Sequence, residues 1–278
     1  MKTRILTSII IAAVAIPTLA FSGTLLYSIV MSALSLMAVF EMLRVLGYAK
    51  KLAIVIPAYL IALAFPTAAY FAATDVIKYS VVAAAVIFVY LLYLLTLPVL
   101  TRGKLKITGM SAVFCTTVYV ILAFSALSAV RTLHNGVFYM FIPFICSWVS
   151  DVFAYFVGRL FGKHKLIPEI SPKKTVEGSI GGIVFAVLAM LLFGFIVDSF
   201  FDAITVNYLV LGLMGFVLSI ISQIGDLIAS SLKREYGVKD YSNLLPGHGG
   251  IADRFDSIFA IALLVLAICA IFPPFITT

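Results

Sequence analysis

One of the chain's twelve acidic residues, Asp226, falls inside an otherwise apolar run long enough to cross a bilayer. An ionisable group so placed costs about 2.5–3.5 kcal/mol on insertion scales, which marks it as a functional candidate. At about 100° per residue, Ser219, Ser222, Gln223, Asp226, Ser230 and Lys233 share an arc of roughly 100°. A polar stripe of that kind must face protein or a wet cavity. Hydrogen-bonding glue between helices would account for the serines and Gln223. Asp226, running on into Lys233 and Arg234, points instead to a site.

A second cluster opens the last apolar run, at Gly249-Gly250-Ile251-Ala252-Asp253-Arg254-Phe255-Asp256-Ser257. Asp253 and Asp256 are three apart and point to one side of a starting helix. Acids in a first turn suit the helix dipole. Two carboxylates flanking Arg254 after a glycine pair also suit a hard cation and a phosphate. Mg²⁺ takes one or two carboxylates together with substrate phosphate oxygens, and glycines let backbone N–H groups approach an anion at a helix N-terminus. Between the two clusters lie Lys233-Arg234, Lys239-Asp240 and Pro246-Gly247-His248-Gly249-Gly250, the makings of a polyphosphate–metal site. An earlier apolar run puts Ser147, Asp151, Tyr155 and Gly158 on one face; Asp151 is either a site residue or the partner of a cation in the loop that follows. No Walker A motif is present. Gly158–His164 comes near it but is one residue short and lacks the Ser/Thr.

These clusters need elements to hold them. The chain has 278 residues, 63% hydrophobic and only 11% charged. A soluble globular domain is nearer half apolar and a quarter charged, so composition excludes a soluble enzyme and a disordered chain. A spanning helix needs about 20 mostly apolar residues. We read an all-α, polytopic helical bundle of about nine transmembrane helices, at roughly 5–21, 24–43, 52–73, 77–99, 107–130, 136–157, 179–198, 207–229 and 257–275. The opening MKTR followed by an apolar run has the form of a signal peptide; with no clear A-x-A site after it, we read a retained first span. The three cysteines lie in apolar runs without metal-ligand spacing.

With the N-terminus inside, the inner segments hold all nineteen Lys and Arg except Lys78 and Arg131. The positive-inside rule then sets a cytoplasmic N-terminus, and the net charge of +7 belongs to membrane anchoring rather than to nucleic acid. Residues 1–150 carry only Glu41 and Asp75 as acids. We therefore read residues 1–135 as scaffold and 136–278 as the catalytic region, with cytoplasmic loops 158–178 and 230–256. Glu41, near a span end, is either interfacial or paired with Arg44.

The run from Ser230 through Lys233-Arg234, Lys239-Asp240 and Pro246-Gly-His248-Gly249-Gly250 to Asp253-Arg254-Phe-Asp256 resembles the signature of phosphatidate cytidylyltransferases, S-x-apolar-K-R … K-D … P-x-H-G-G-apolar-x-D-R-apolar-D, at every fixed position. Asp151–His164 and Ile170–Gly178, with Ser171, Lys173, Lys174, Thr175 and Glu177, also resemble that family. The two stretches cover about a quarter of the chain. The resemblance implies a plasma-membrane enzyme, often a homodimer, with its site facing the cytoplasm. It implies that CTP and phosphatidic acid become CDP-diacylglycerol and pyrophosphate with Mg²⁺, and that Asp226 and Asp253 bind the metal.

Within that reading Asp256 is either an additional metal ligand or a support behind the ligands, and a second cation is left open. Lys233, Arg234, Lys239 and Arg254 meet the phosphates; Asp240 completes the motif; His248, Gly249 and Gly250 line the nucleotide. Ser230, Asp151 and the 158–178 loop serve substrate binding, that loop's lysines being equally explained as leaflet anchors. The rival readings are a CTP-dependent polyprenol or lipid kinase, separated by its product, and an ion-coupled transporter, which would place charge at mid-bilayer and show related halves.

Overall fold

The computed structural model describes residues 13, 15–72, 76–247 and 249–277. The helices are α1 (Leu25–Val45), α2 (Leu52–Phe71), α3 (Val76–Leu100), α4 (Ile107–Val130), the single turn α5 (Gly136–Tyr139), α6 (Ile142–Phe161), α7 (Val176–Phe200), α8 (Tyr208–Glu235) and α9 (Ala252–Ile271). With α5 and α6 counted together, eight helical spans among the described residues are long and apolar enough to cross a membrane. The chain is an all-α multi-pass membrane protein. The ninth expected span, over 5–21, lies mainly outside the described residues; its described part is helical over 15–20.

Two loops are shorter than expected. α8 runs on to Glu235, and α9 begins at Ala252, so the expected loop 230–256 is residues 236–251. Apolar patterning ends where charge begins, but a helix need not. Leu232 to Glu235 are good helix formers, and Lys233 and Arg234 in the last turn suit the negative end of the dipole. The other loop, expected over 158–178, is residues 162–175 and holds an antiparallel pair, β1 (Lys165–Ile167) with β2 (Ser171–Thr175), in which Lys165 faces Thr175. Thr175 ends that pair and starts α7, its Oγ1 accepting from the Gly178 amide at 3.1 Å. A second antiparallel pair, β3 (Ile204–Val206) with β4 (Phe275–Thr277), follows where Pro273 and Pro274 stop the last helix.

The chain divides into two compact units. The first comprises the described residues up to Thr132 together with Tyr236–Phe255. α4 is its most buried helix and packs on α1, α2 and α3. Its inward face carries Val113, Val120, Phe124 and Leu127. Two sets of polar groups in these spans find partners between helices. Tyr27 donates to the Leu127 carbonyl at 3.2 Å, and the Ser32 and Thr67 hydroxyls lie 2.8 Å apart.

The second unit comprises Leu133–Glu235 and the chain from Asp256 onward. α7 is packed between α6 and α8. The approach to α6 requires Gly182, where an added Cβ would lie 2.7 Å from the Ser150 carbonyl oxygen. The polar stripe of α8 faces this interior: Ser219, Ser222, Gln223 and Lys233 are buried. Gln223 accepts from Ser179 Oγ at 2.5 Å and donates to Ser150 Oγ at 3.1 Å. At the far end of the unit Phe275 is held by Tyr139 Oη and Asn135 Nδ2, which both donate to its carbonyl, at 2.9 and 3.0 Å.

Candidate active site

In the second unit three carboxylates come from three helices: Asp151 of α6, Asp226 of α8 and Asp256 of α9. Gly225 makes this possible. An added Cβ there would lie 2.6 Å from Ala260 Cβ and 3.2 Å from the Asp256 carbonyl oxygen, so α8 and α9 run in near-backbone contact one residue before Asp226. Asp226 is close enough to act electrostatically on both Asp151 and Asp256. Three acids gathered away from water repel one another and need cations. Lys174, delivered by β2, pairs with Asp226 Oδ2. Lys233, one α8 turn pair beyond Asp226, places Nζ 3.6 Å from Asp256 Oδ2. Ser257 completes the cluster: its hydroxyl donates to Asp151 Oδ2 at 3.4 Å and lies 2.5 Å from the Ser147 hydroxyl, while its amide donates to Asp256 Oδ1 at 2.9 Å.

The β1–β2 hairpin is anchored by Glu177 in the first turn of α7. Its carboxylate accepts from the amides of Lys163 and His164 at 3.1 and 3.2 Å and lies 2.6 Å from His164 Nδ1. Glu177 thus fixes the root of the strand that carries Lys174. Ser171 is half-buried and Lys173 exposed on the same strand.

In the first unit the 236–251 segment folds back on itself. Asp253 Oδ2 accepts from the amides of Tyr241 and Gly250 at 2.8 and 3.0 Å. Gly249 has φ +80°, a conformation L side chains rarely adopt, and an added Cβ would meet Asp253 Oδ2 at 2.9 Å. Arg234, Lys239, Asp240 and Arg254 are exposed and Ser230 half-buried. His248 lies outside the described residues.

Glu41 of α1 is the residue that sequence reasoning missed. It is 1% exposed, and its carboxylate accepts from Ser242 Oγ at 2.6 Å, Ile251 N at 3.0 Å and Ala252 N at 2.8 Å. These partners stand where the sequence suggested pairing with Arg44. The signal that singled out Asp226, an acid within an apolar span, applied to Glu41 as well.

Among the described residues no three His, Cys, Asp or Glu side chains form a ready-made metal cage. What the second unit offers is a set of hard oxygen donors matched to ammonium groups, an arrangement suited to a cation that completes its shell with substrate phosphates.

Residues 2–272 match the cytidylyltransferase family. A Bacillus subtilis (strain 168) protein named phosphatidate cytidylyltransferase is 37% identical over 280 residues, spanning 98% of this chain and 98% of that protein. One of the same name from Staphylococcus haemolyticus (strain JCSC1435) is 36% identical over 274 residues, 95% of this chain and 97% of the relative. Another, from Staphylococcus epidermidis (strain ATCC 12228 / FDA PCI 1200), is 42% identical over 163 residues, 58% of this chain and 61% of the relative. Agreement of this extent covers the spans as well as the charged clusters, and the chain belongs to the cytidylyltransferase family.

Proposed function

We propose that the protein is a phosphatidate cytidylyltransferase, joining CTP and phosphatidic acid to give CDP-diacylglycerol and pyrophosphate at the cytoplasmic face of the plasma membrane. The observation that carries the reading beyond family membership is the cluster of Asp151, Asp226 and Asp256 with Lys174 and Lys233, carboxylates from three spanning helices matched to ammonium groups from α8 and the hairpin.

The phosphate of phosphatidic acid is already an anionic nucleophile near neutral pH. The difficulty is to bring two anions together, so catalysis rests on positioning and charge. A phosphate oxygen attacks the α-phosphorus of CTP, and pyrophosphate leaves with the electron pair of the broken P–O bond. Asp226 and Asp256 are the donors for Mg²⁺ that the cluster supports; Asp253 is assigned by the resemblance. The ion supplies charge neutralisation at the phosphates when bound. By the same resemblance, Lys233, Arg234, Lys239 and Arg254 are the cations assigned to the triphosphate and the lipid phosphate. Gly249, Gly250 and His248 line the nucleotide, and Asp240 completes the motif beside Lys239. Asp151 and Ser230 border the site. Ser171 and Lys173 of the hairpin, rooted by Glu177, cover the lipid headgroup, while Thr175 holds the start of α7 beneath them. A homodimer accords with the same resemblance.

The test is turnover by the purified protein in detergent with phosphatidic acid and CTP labelled at the α- or the γ-phosphate. Label from the α position in the lipid product, dependent on Mg²⁺, is the expected result. Label from the γ position would make the protein a lipid kinase.

A further inference from the structure

Glu41 is a carboxylate in a spanning helix of the half of the chain that carries almost no acids, and it is buried to 1%. Leaving such a charge unpartnered in an apolar setting is costly. Its partners lie about 200 residues away in sequence and are the first amides of α9, those of Ile251 and Ala252. The opening amides of a helix have no intrahelical acceptor and carry the positive end of its dipole. Glu41 therefore does for α9 what an N-cap residue normally does from within its own helix. Ser242 adds a third tether from its hydroxyl. Gly250 is required for the approach, since an added Cβ would lie 2.5 Å from Glu41 Oε1.

The result is a double clamp on one segment. Asp253 holds the Tyr241 and Gly250 amides, and Glu41 holds Ser242, Ile251 and Ala252. The amides of Gly250, Ile251 and Ala252 are thereby occupied by protein carboxylates.

We infer that Glu41 is a positioning residue for cytidylyl transfer, fixing the 242–252 backbone and the first turn of α9, from which Asp253 and Arg254 project. The inference rests on the function proposed above. Glu41 itself touches no substrate.

The experiment uses the full chain in detergent with the variants Glu41→Gln, Glu41→Asp and Ser242→Ala. Glutamine keeps the shape but turns an amide donor toward an N–H. In Glu41→Gln we expect kcat for CDP-lipid formation to fall at least about tenfold while KM for phosphatidic acid stays within about twofold. Trypsin cleavage after the exposed Lys239 should accelerate in the same variant, in the absence of substrate. Ser242→Ala, losing one tether of three, should show both effects in weaker form, and Glu41→Asp should recover part of the turnover. If Glu41→Gln fails to fold, the same pairing of lost kcat and faster cleavage is read from Ser242→Ala. Wild-type kcat and cleavage in the folded variants, or turnover lost only in proportion to the folded fraction, would overturn the inference. A wild-type protein that makes no CDP-lipid would instead overturn the proposed function, and the cleavage rates would still decide whether Glu41 clamps the segment.

Discussion

Lys233 of α8 and Asp256 of α9 face one another at 3.6 Å with side chains only 10% and 11% exposed. Neither charge is well hydrated, so each depends on its surroundings to remain ionised. Removing one partner of a buried pair typically costs about 3–5 kcal/mol, whereas removing both with a good apolar fit costs far less. Asp256→Asn and Lys233→Met should each lower the unfolding midpoint in detergent and reduce turnover by about a hundredfold or more. The double variant should recover much of the midpoint and none of the turnover, because the charges are needed for phosphate chemistry. Recovery of turnover together with stability would reduce the pair to a structural role.

Lys173 and Lys174 are adjacent but not equivalent. Lys174 is half-buried and paired with Asp226, while Lys173 is exposed on the other side of the strand. An exposed lysine near anionic lipid contributes about 1 kcal/mol of surface attraction. Lys174→Gln should therefore lower kcat at least about tenfold, and Lys173→Gln should alter it less than about threefold, with any effect appearing in KM for lipid and fading with salt. Steady-state kinetics at two salt concentrations checks both statements.

The difference between these lysines shows where the sequence stopped being informative. Apolar run length located the spans within a few residues because bilayer thickness imposes it. Asp226 stood out because acids are costly there, and its stripe was recoverable from helical periodicity. The helix ends were not recoverable, since Leu232–Glu235 extend α8 in polar surroundings where hydropathy is silent. Nor was the meeting of Glu41 with Ile251 and Ala252, which joins residues some 210 apart. Contacts of that separation depend on how helices pack and leave no local pattern. Asp253 gives a related case. Its place in the sequence suggested a metal ligand, and one of its oxygens is engaged by two backbone amides.

Gln223 tests the bland half of the polar stripe. It bonds Ser179 through side chain and carbonyl, at 2.5 and 3.2 Å, and Ser150 at 3.1 Å. Interhelical hydrogen bonds in membranes average about 0.6 kcal/mol each. Gln223→Leu should cost about 1–3 kcal/mol of stability, including the hydroxyls left unsatisfied, while the folded fraction keeps most of its kcat. Thermal unfolding in detergent with turnover normalised to folded protein decides the matter. A large kcat loss at unchanged midpoint would move Gln223 into the reacting site.

Gly225 offers the sharpest test of geometry, because it lies beside Asp226 without any chemistry of its own. An alanine there would put its Cβ 2.6 Å from Ala260 Cβ, against a helix rather than a flexible side chain, so α8 and α9 would have to separate by about an ångström. A displacement of that size between groups that act together can cost about a hundredfold in rate. Gly225→Ala should lose turnover to about that degree while remaining in the membrane. The obstruction is chiefly one methyl group, so adding Ala260→Gly should return part of the activity, and only part, because the Asp256 and Ser257 carbonyl oxygens at 3.2 and 3.3 Å still crowd the new Cβ. Partial rescue is not expected if Gly225 merely makes α8 flexible, since a second glycine in α9 would loosen the pair further.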